Sequence, residues 1–196
     1  MKKLLSVLVL IFSFQSWTKA DDIRNFEIEG ISVGDSLLEF FDKNSIENEI
    51  KDAAFYPNSK TFMILRLIPK NMKQYDNLNF HIKKNDKKYL IYSVKGMIDL
   101  EPEECLKIKK DVDSEIQKIV PNSEIRNHTN RYDDNLGESK AYISDYYIKD
   151  GVIRVFCTDW DKKFMMENYN KIYTNTLSVN STIDELRFWL QNEAYK

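Results

Sequence analysis

Two cysteines carry the most definite chemistry in this chain. Cys105 and Cys157 are its two cysteines, and each falls on the apolar side of its predicted element, a helix for Cys105 and a strand for Cys157. Both side chains should therefore face one core. In an oxidising compartment such a pair forms a disulfide, and closing this loop would stabilise the fold by about 3–4.5 kcal/mol. The alternative is a pair of buried, unreactive thiols.

A second group with chemical potential follows the strand of Cys157 directly. Asp159, Trp160 and Asp161 place two carboxylates beside an aromatic ring, an arrangement that suits a carbohydrate. Carboxylates at the end of a strand are also common turn formers. We treat Asp159, Trp160 and Asp161 as a candidate ligand surface, with a simple turn as the alternative.

The usual signatures of catalysis are missing from the sequence. The two histidines, His81 and His128, belong to no metal-ligand or catalytic motif. The sequence contains neither a glycine-rich phosphate loop nor the G-x-S-x-G motif of serine hydrolases. We therefore predict no catalytic residues, no metal and no cofactor. A glycosidase-like hydrolase that uses carboxylates alone is the alternative, because two facing Asp or Glu side chains leave no local motif.

The element that positions Cys105 is a predicted helix with one apolar stripe. Pro102 suits the first helical position, and two glutamates follow it at the positive end of the helix dipole. Apolar residues then recur at spacings of three and four, and Pro121 ends the helix. The stripe consists of Cys105, Ile108, Val112, Ile116 and Ile119.

The element that positions Cys157 is a predicted hairpin. Residues 141–148 and 152–160 alternate in polarity around Asp150-Gly151, a dipeptide typical of a type I′ turn. A two-residue turn at this point would pair Ser144 with Cys157, Tyr146 with Val155, and Ile148 with Ile153. The outward face of this hairpin carries aromatic and apolar side chains. The residues of that face are Tyr142, Ile143, Tyr147 and Phe156. The face is either a binding surface or the apolar cover of the C-terminal helix, whose Leu186, Trp189 and Leu190 must be buried.

Further elements complete an α+β pattern. Capping boxes predict helices starting at Ser36, Asn44 and Thr182, the last running through Leu190. Strands are predicted over 62–68, 78–82 with a partner running to Ile98, and 172–179, whereas residues 122–139 are expected to form a polar loop. In the first hairpin Tyr89 and Ile91 should lie opposite Ile82 and Phe80. The predicted fold is an antiparallel sheet built from hairpins, with helices packed on one face.

The amino terminus predicts export. Lys2 and Lys3 precede an apolar run over residues 4–14, and Ala20 ends a short polar stretch. This is the pattern of a secretory signal peptide over residues 1–20, leaving residues 21–196 as a single periplasmic or secreted domain. That domain has 26 basic and 31 acidic side chains after three lysines leave with the leader, a net charge of −5, which disfavours nucleic acid as a partner. No later stretch is long and apolar enough to span a membrane.

The chain resembles a family of exported proteins of unknown function from AT-rich Gram-negative bacteria. The resemblance is carried by the leader, by residues 26–38 and by the Asp159-Trp160 pair. Residues 30–98, in which Ser32-Val33-Gly34-Asp35-Ser36 precedes a short helix and a hairpin, are similar to the BamE/SmpA-like envelope domains. This second resemblance implies a role in outer-membrane assembly.

Together these patterns predict an exported, soluble, non-catalytic binding protein or cell-envelope accessory protein, whose partner is a protein or a small ligand of the envelope. An extracytoplasmic inhibitor or interaction module acting through residues 122–139 is a further alternative.

Overall fold

The computed structural model describes residues 20–132, 137–169 and 175–195. Within these residues the strands form one antiparallel sheet in the order β1-β2-β3-β4-β8-β7-β6-β5. Strand β8 pairs with both β4 and β7 and so joins the two halves of the sheet. The strands are β1 (Ala54–Phe55), β2 (Phe62–Arg66), β3 (Asn77–Lys83), β4 (Ile91–Leu100), β5 (Glu124–Arg131), β6 (Lys140–Ile148), β7 (Gly151–Asp159) and β8 (Asn175–Ile183).

The described α-helices are α1 (Lys43–Lys51), α2 (Pro102–Ile119), α3 (Lys162–Tyr169) and α4 (Asp184–Asn192). The predicted capping box at Ser36 is confirmed, and it begins a short 3-10 helix (Leu37–Glu39). The boxes predicted at Asn44 and Thr182 are wrong. Asp42 caps α1, and Thr182 lies in β8, which continues directly into α4.

The main core lies on one face of the sheet. Alternate residues of the central strands point into it, and Phe80, Val94, Val155 and Leu177 are each at most 1% exposed. Helix α2 covers this face with the predicted stripe, of which Cys105, Ile108, Val112 and Ile116 are buried.

The opposite face carries a second, aromatic cluster. Leu186 and Trp189 of α4 pack there against Phe62 and Tyr92. The predicted α+β class and antiparallel sheet are thus confirmed. Helix α4 departs from the expected arrangement on a single face because these aromatic side chains give it a separate apolar surface.

The predicted disulfide is confirmed. Cys105 and Cys157 are bonded, with their Cα atoms 5.9 Å apart, and both side chains are fully buried. The bond ties the first turns of α2 to the far end of β7. Helix and strand therefore cannot separate without breaking a covalent link.

A buried polar cluster fixes the same helix against β6. The Asp113 carboxylate accepts hydrogen bonds from Lys109 Nζ at 2.7 Å, Ser144 Oγ at 3.1 Å and Tyr146 OH at 2.8 Å. Lys109 Nζ also donates to Ser144 Oγ at 2.6 Å. Since Lys109 and Tyr146 are buried, these bonds set the register of α2 on the sheet.

The β6–β7 hairpin forms around a different turn from the one predicted. Ile148 pairs with Gly151, so the turn residues are Lys149 and Asp150. Asp150 itself adopts the positive φ of 63°. Gly151 is required for another reason, since a Cβ there would lie 2.5 Å from the backbone oxygen of Thr182.

The predicted pairs of this hairpin are consequently wrong by two residues. Cys157 lies opposite Tyr142 and Ser144 lies opposite Val155. Because side chains alternate with a period of two, a shift of two leaves Ser144 and Cys157 on their predicted face. The inference that Cys157 faces the core was therefore correct, although Ser144 was the wrong residue to place opposite it on the neighbouring strand.

The first hairpin also differs in register. Ile82 pairs with Ile91 and Phe80 with Val94, across a β-bulge, whereas Tyr89 and Ile91 were predicted opposite Ile82 and Phe80. A longer connection causes the difference. The Asp86 carboxylate accepts the backbone N–H groups of residues 88 and 90, which organises a loop where a tight turn was expected.

The segment over 122–139 was predicted as a loop and instead contains strand β5. All eight residues of β5 are exposed, and the strand pairs with β6 at the edge of the sheet. Its two faces are both polar, so the alternation that identifies a strand is absent. Residues 133–136, and residues 172–174 of the predicted last strand, lie outside the described residues. Helix α3 was not predicted.

The predicted signal peptide also lies outside the described residues except for Ala20. Ala20 is buried and donates its backbone N–H to the Ile119 carbonyl oxygen at 3.1 Å. Over the described parts of the chain, none of the helices has the length and apolar character that crossing a bilayer requires.

Candidate functional site

A cavity of about 300 Å³ lies on the face of the sheet opposite the main core. Seven of the eight strands contribute to its lining, as do α4 and Tyr56. In a flat sheet, strands β2 and β5 would be about 29 Å apart at the usual spacing, so the sheet must curl for both to reach one cavity. The lining residues are Tyr56, Ile64, Asn79, His81, Ser93, Lys95, Asn130, Tyr132, Ile143, Arg154, Phe156, Asn180, Thr182, Leu186 and Leu190.

The floor of the cavity is a row of nitrogen-bearing side chains that crosses four adjacent strands. Asn79 in β3 pairs with Lys95 in β4, Lys95 with Asn180 in β8, and Asn180 with Arg154 in β7. Directly opposed residues have Cβ atoms about 4.5–5.5 Å apart and share a face of the sheet. We call Asn79, Lys95, Asn180 and Arg154 the donor row, since each carries N–H groups on this face.

Lys95 is the charge in the donor row that lacks a counter-ion. No carboxylate of the described residues lies within 4.0 Å of Lys95 Nζ. The ammonium group lies over the ring of Phe156, 4.9 Å from its centroid, in a cation–π arrangement. Burial lowers the pKa of Lys95 to about 8. The cavity therefore holds a cation that is partly desolvated and not neutralised.

Arg154, the second cation of the donor row, is already neutralised. Its Nε and Nη2 donate to the two carboxylate oxygens of Asp145 at 2.6 and 2.9 Å. Asp145 is 1% exposed and lies opposite Arg154 across the β6–β7 hairpin. The hydrogen bond with Asp145 raises the pKa of Arg154. The donor row and Asp145 together consequently carry one net positive charge, which is that of Lys95.

A hydroxyl chain orients the amide of Asn180. Ser93 Oγ donates to Asn180 Oδ1 at 2.6 Å and lies 2.9 Å from Thr182 Oγ1. Since the single proton of Ser93 goes to Asn180, the Thr182 hydroxyl must donate to Ser93. With its oxygen fixed in this way, the amide nitrogen of Asn180 is left to donate elsewhere.

His81 is a neutral member of the lining. One ring nitrogen, Nε2, is 2.7 Å from Tyr56 OH, and the other, Nδ1, is buried with no hydrogen-bond partner in the described structure. Burial, followed by the charge of Lys95, lowers the pKa of His81 to about 4. Ser93 lies directly opposite His81, but its proton is committed to Asn180. The two side chains are not arranged as a nucleophile and its base.

The remaining walls of the cavity are apolar. Ile143 and Phe156, from the outward face of the second hairpin, line it together with Leu186 and Leu190 of α4. Ile143 and Phe156 therefore border an open space, whereas the cluster that covers α4 contains Phe62 and Tyr92. The other two residues assigned to it do not take part. Tyr142 pairs with Cys157, on the core side, and the ring of Tyr147 lies near the guanidinium groups of Arg126 and Arg187.

The candidate surface at Asp159, Trp160 and Asp161 lies beside this cavity. The Trp160 ring stacks on Tyr132, a lining residue, with centroids 5.9 Å apart, and also lies 6.4 Å from the ring of Phe164. Its indole nitrogen donates to Thr176 Oγ1 at 3.0 Å.

Asp161 accepts backbone N–H groups from Phe164 at 2.7 Å and Glu138 at 3.4 Å. The first of these bonds is the main reason that the pKa of Asp161 is lowered. The Asp161 carboxylate therefore organises the start of α3, as a turn former does.

Sequence reasoning missed the donor row. In β3, Asn79 and His81 alternate with buried apolar residues, which places both on the face away from the core. The pairing of β4 with β8, which brings Lys95 beside Asn180, joins residues that are 75–89 positions apart and has no local signal. Over the described ranges, no group of three His, Cys, Asp or Glu side chains is placed to hold a metal ion.

Comparison with protein-family models, with curated proteins and with solved structures gives no match to this chain.

Proposed function

We propose that the chain is an exported binding protein that holds a small ligand in the cavity above the donor row. The observation that carries this proposal is the lining itself: a cavity of about 300 Å³ combines a polar floor with apolar walls. Cavities of about 300–1,000 Å³ with a few fixed polar groups are typical of small-molecule sites.

The state of the reactive side chains supports binding over catalysis at this cavity. His81 is held neutral beside Tyr56, Ser93 donates its proton to Asn180, and Arg154 is paired with Asp145. Each of these groups is fixed by a neighbour, which favours a rigid, preorganised recognition surface. The resemblance of residues 30–98 to the BamE/SmpA-like envelope domains supports an accessory role in the cell envelope.

The proposal is tested by a ligand screen that follows the melting temperature of the purified mature protein. Neutral, cationic and anionic small molecules are added one at a time, because a ligand that binds the folded state raises its stability. We expect at least one chemical class to raise the melting temperature. Leu190→Trp, which places a larger ring in the cavity wall, should abolish that rise.

The matched control is Phe188→Trp. Phe188 lies on the same helix but is 52% exposed and does not line the cavity. This variant should respond to ligand as the wild type does. Absence of any stabilising compound, or equal responses from both tryptophan variants, would contradict binding in the cavity.

A further inference from the structure

The balance of charge around the cavity selects a ligand of one sign. Lys95 contributes a positive charge that no carboxylate of the described residues compensates within 4.0 Å, whereas Arg154 and Asp145 cancel. His81 adds no charge near neutral pH because burial keeps it deprotonated. A ligand with one negative charge would make the occupied cavity neutral, and a cationic ligand would add a like charge near Lys95.

The hydrogen-bond donors near Lys95 also suit a negatively charged group. Asn180 lies directly opposite Lys95, and the Ser93 hydroxyl occupies its amide oxygen at 2.6 Å. The amide nitrogen is therefore left to donate to another group on this face of the sheet. An ammonium and an amide nitrogen on neighbouring strands can each donate to one oxygen of a carboxylate, and hydrogen bonds between charged groups are the stronger kind.

We propose that the ligand of this cavity is a small organic monoanion whose carboxylate lies between Lys95 and Asn180 and whose apolar body lies against Phe156, Leu186 and Leu190. The inference rests on the proposed function, since it names the ligand class of the same cavity. The apolar walls call for an organic body, which an inorganic anion such as sulfate or phosphate lacks.

The test compares carboxylates with their uncharged amides on the full mature protein. The pairs are benzoate with benzamide, phenylacetate with phenylacetamide, and hexanoate with hexanamide, and the dissociation constants are measured by calorimetry. The two members of a pair have nearly the same shape and differ in charge. We expect at least one carboxylate to bind about tenfold or more tightly than its amide, as charge-assisted hydrogen bonds imply.

Variants of Lys95 locate the effect. Lys95→Met should bring the affinity for the carboxylate down to that for the amide, and Lys95→Arg should retain part of the difference. Lys70→Met is the matched control, because Lys70 is exposed on a loop and its loss changes the net charge equally. The control should bind as the wild type does. The comparison of acid with amide on the wild type does not depend on whether a Lys95 variant folds.

The outcomes separate this inference from the proposed function. If no carboxylate binds more tightly than its amide, or if Lys95→Met and Lys70→Met behave alike, the monoanion assignment is wrong. If neutral or cationic compounds then bind and Leu190→Trp removes that binding, the cavity remains a binding site for another class of ligand. If sulfate or phosphate binds as tightly as the best carboxylate, the organic body has no role and the inference is overturned.

Discussion

Reduction of the Cys105–Cys157 disulfide should remove about 4 kcal/mol from the free energy of unfolding. The two cysteines are 52 residues apart in sequence. In the chain-entropy model, a bond closing a loop of about this length lowers the entropy of the unfolded chain by about 14 cal/mol/K, or about 4 kcal/mol at 25 °C. Natural domains unfold with about 5–15 kcal/mol. The reduced protein would therefore keep only part of its stability.

The measurement is urea-induced unfolding, followed by tryptophan fluorescence, of the oxidised and the reduced wild type. Reduction leaves both sulfur atoms in the core, so it tests the crosslink with little change in packing. The double variant Cys105→Ala/Cys157→Ala loses the sulfur atoms as well and should be less stable again. The dependence of the free energy on urea should become steeper without the bond, since the unfolded chain then exposes more surface.

In thermal unfolding the same loss corresponds to a decrease of about 8–16 °C in melting temperature for a domain of this size. A decrease in stability of less than about 1 kcal/mol on reduction would refute the loop-entropy argument. It would mean that residual contacts between the α2 and β7 segments already restrict the unfolded chain when the bond is reduced.

Four further outcomes are expected. Asp113→Ala should destabilise the protein by about 3–5 kcal/mol, because buried Lys109 loses its carboxylate partner; a wild-type midpoint in urea would show that the cluster contributes little. Gly151→Ala should cost about 1–3 kcal/mol, since its Cβ would lie 2.5 Å from a backbone oxygen of β8, and an unchanged melting temperature would contradict that contact. The pKa of His81 is about 4 in the folded state against 6.5 ordinarily, so the unfolded state binds its proton first as pH falls. The free energy of unfolding should therefore be highest above pH 6.5 and decrease by up to about 3 kcal/mol towards pH 4. In His81→Gln, the free energy of unfolding measured over the same pH range should change less. Finally, sequencing of the exported protein should find Asp21 at its amino terminus, and retained Met1 would exclude the predicted cleavage.

Local patterns in the sequence predicted the local features of the fold well. The stripe of α2 and the face of the β7 strand directed Cys105 and Cys157 to one core, because helix periodicity and strand alternation each fix a direction. Their distance came only from the structure. Registers were less predictable. The Asp150-Gly151 dipeptide suggested the wrong turn, since Gly151 is needed for its close approach to β8 and not for its backbone angles.

The candidate site was beyond such reasoning for a physical reason. Its donor row depends on β8 lying between β4 and β7, and strand order is set by the packing of the whole sheet. Strand β5 was missed because an exposed edge with two polar faces has no apolar alternation. Residues such as Lys95 and Asn180 look like ordinary surface side chains until the strands that carry them are placed together.

The position of β8 also governs when the molecule can fold. The half-sheets β1–β4 and β5–β7 are joined through β8, which follows all the other described strands along the chain. A chain that emerges from the ribosome amino end first carries two half-sheets with open central edges until β8 has emerged. The pairing of β4 with β8 joins residues 75–89 positions apart, and pairings so distant in sequence form slowly. The cavity, whose floor crosses β8, is therefore completed only when β8 pairs with both half-sheets.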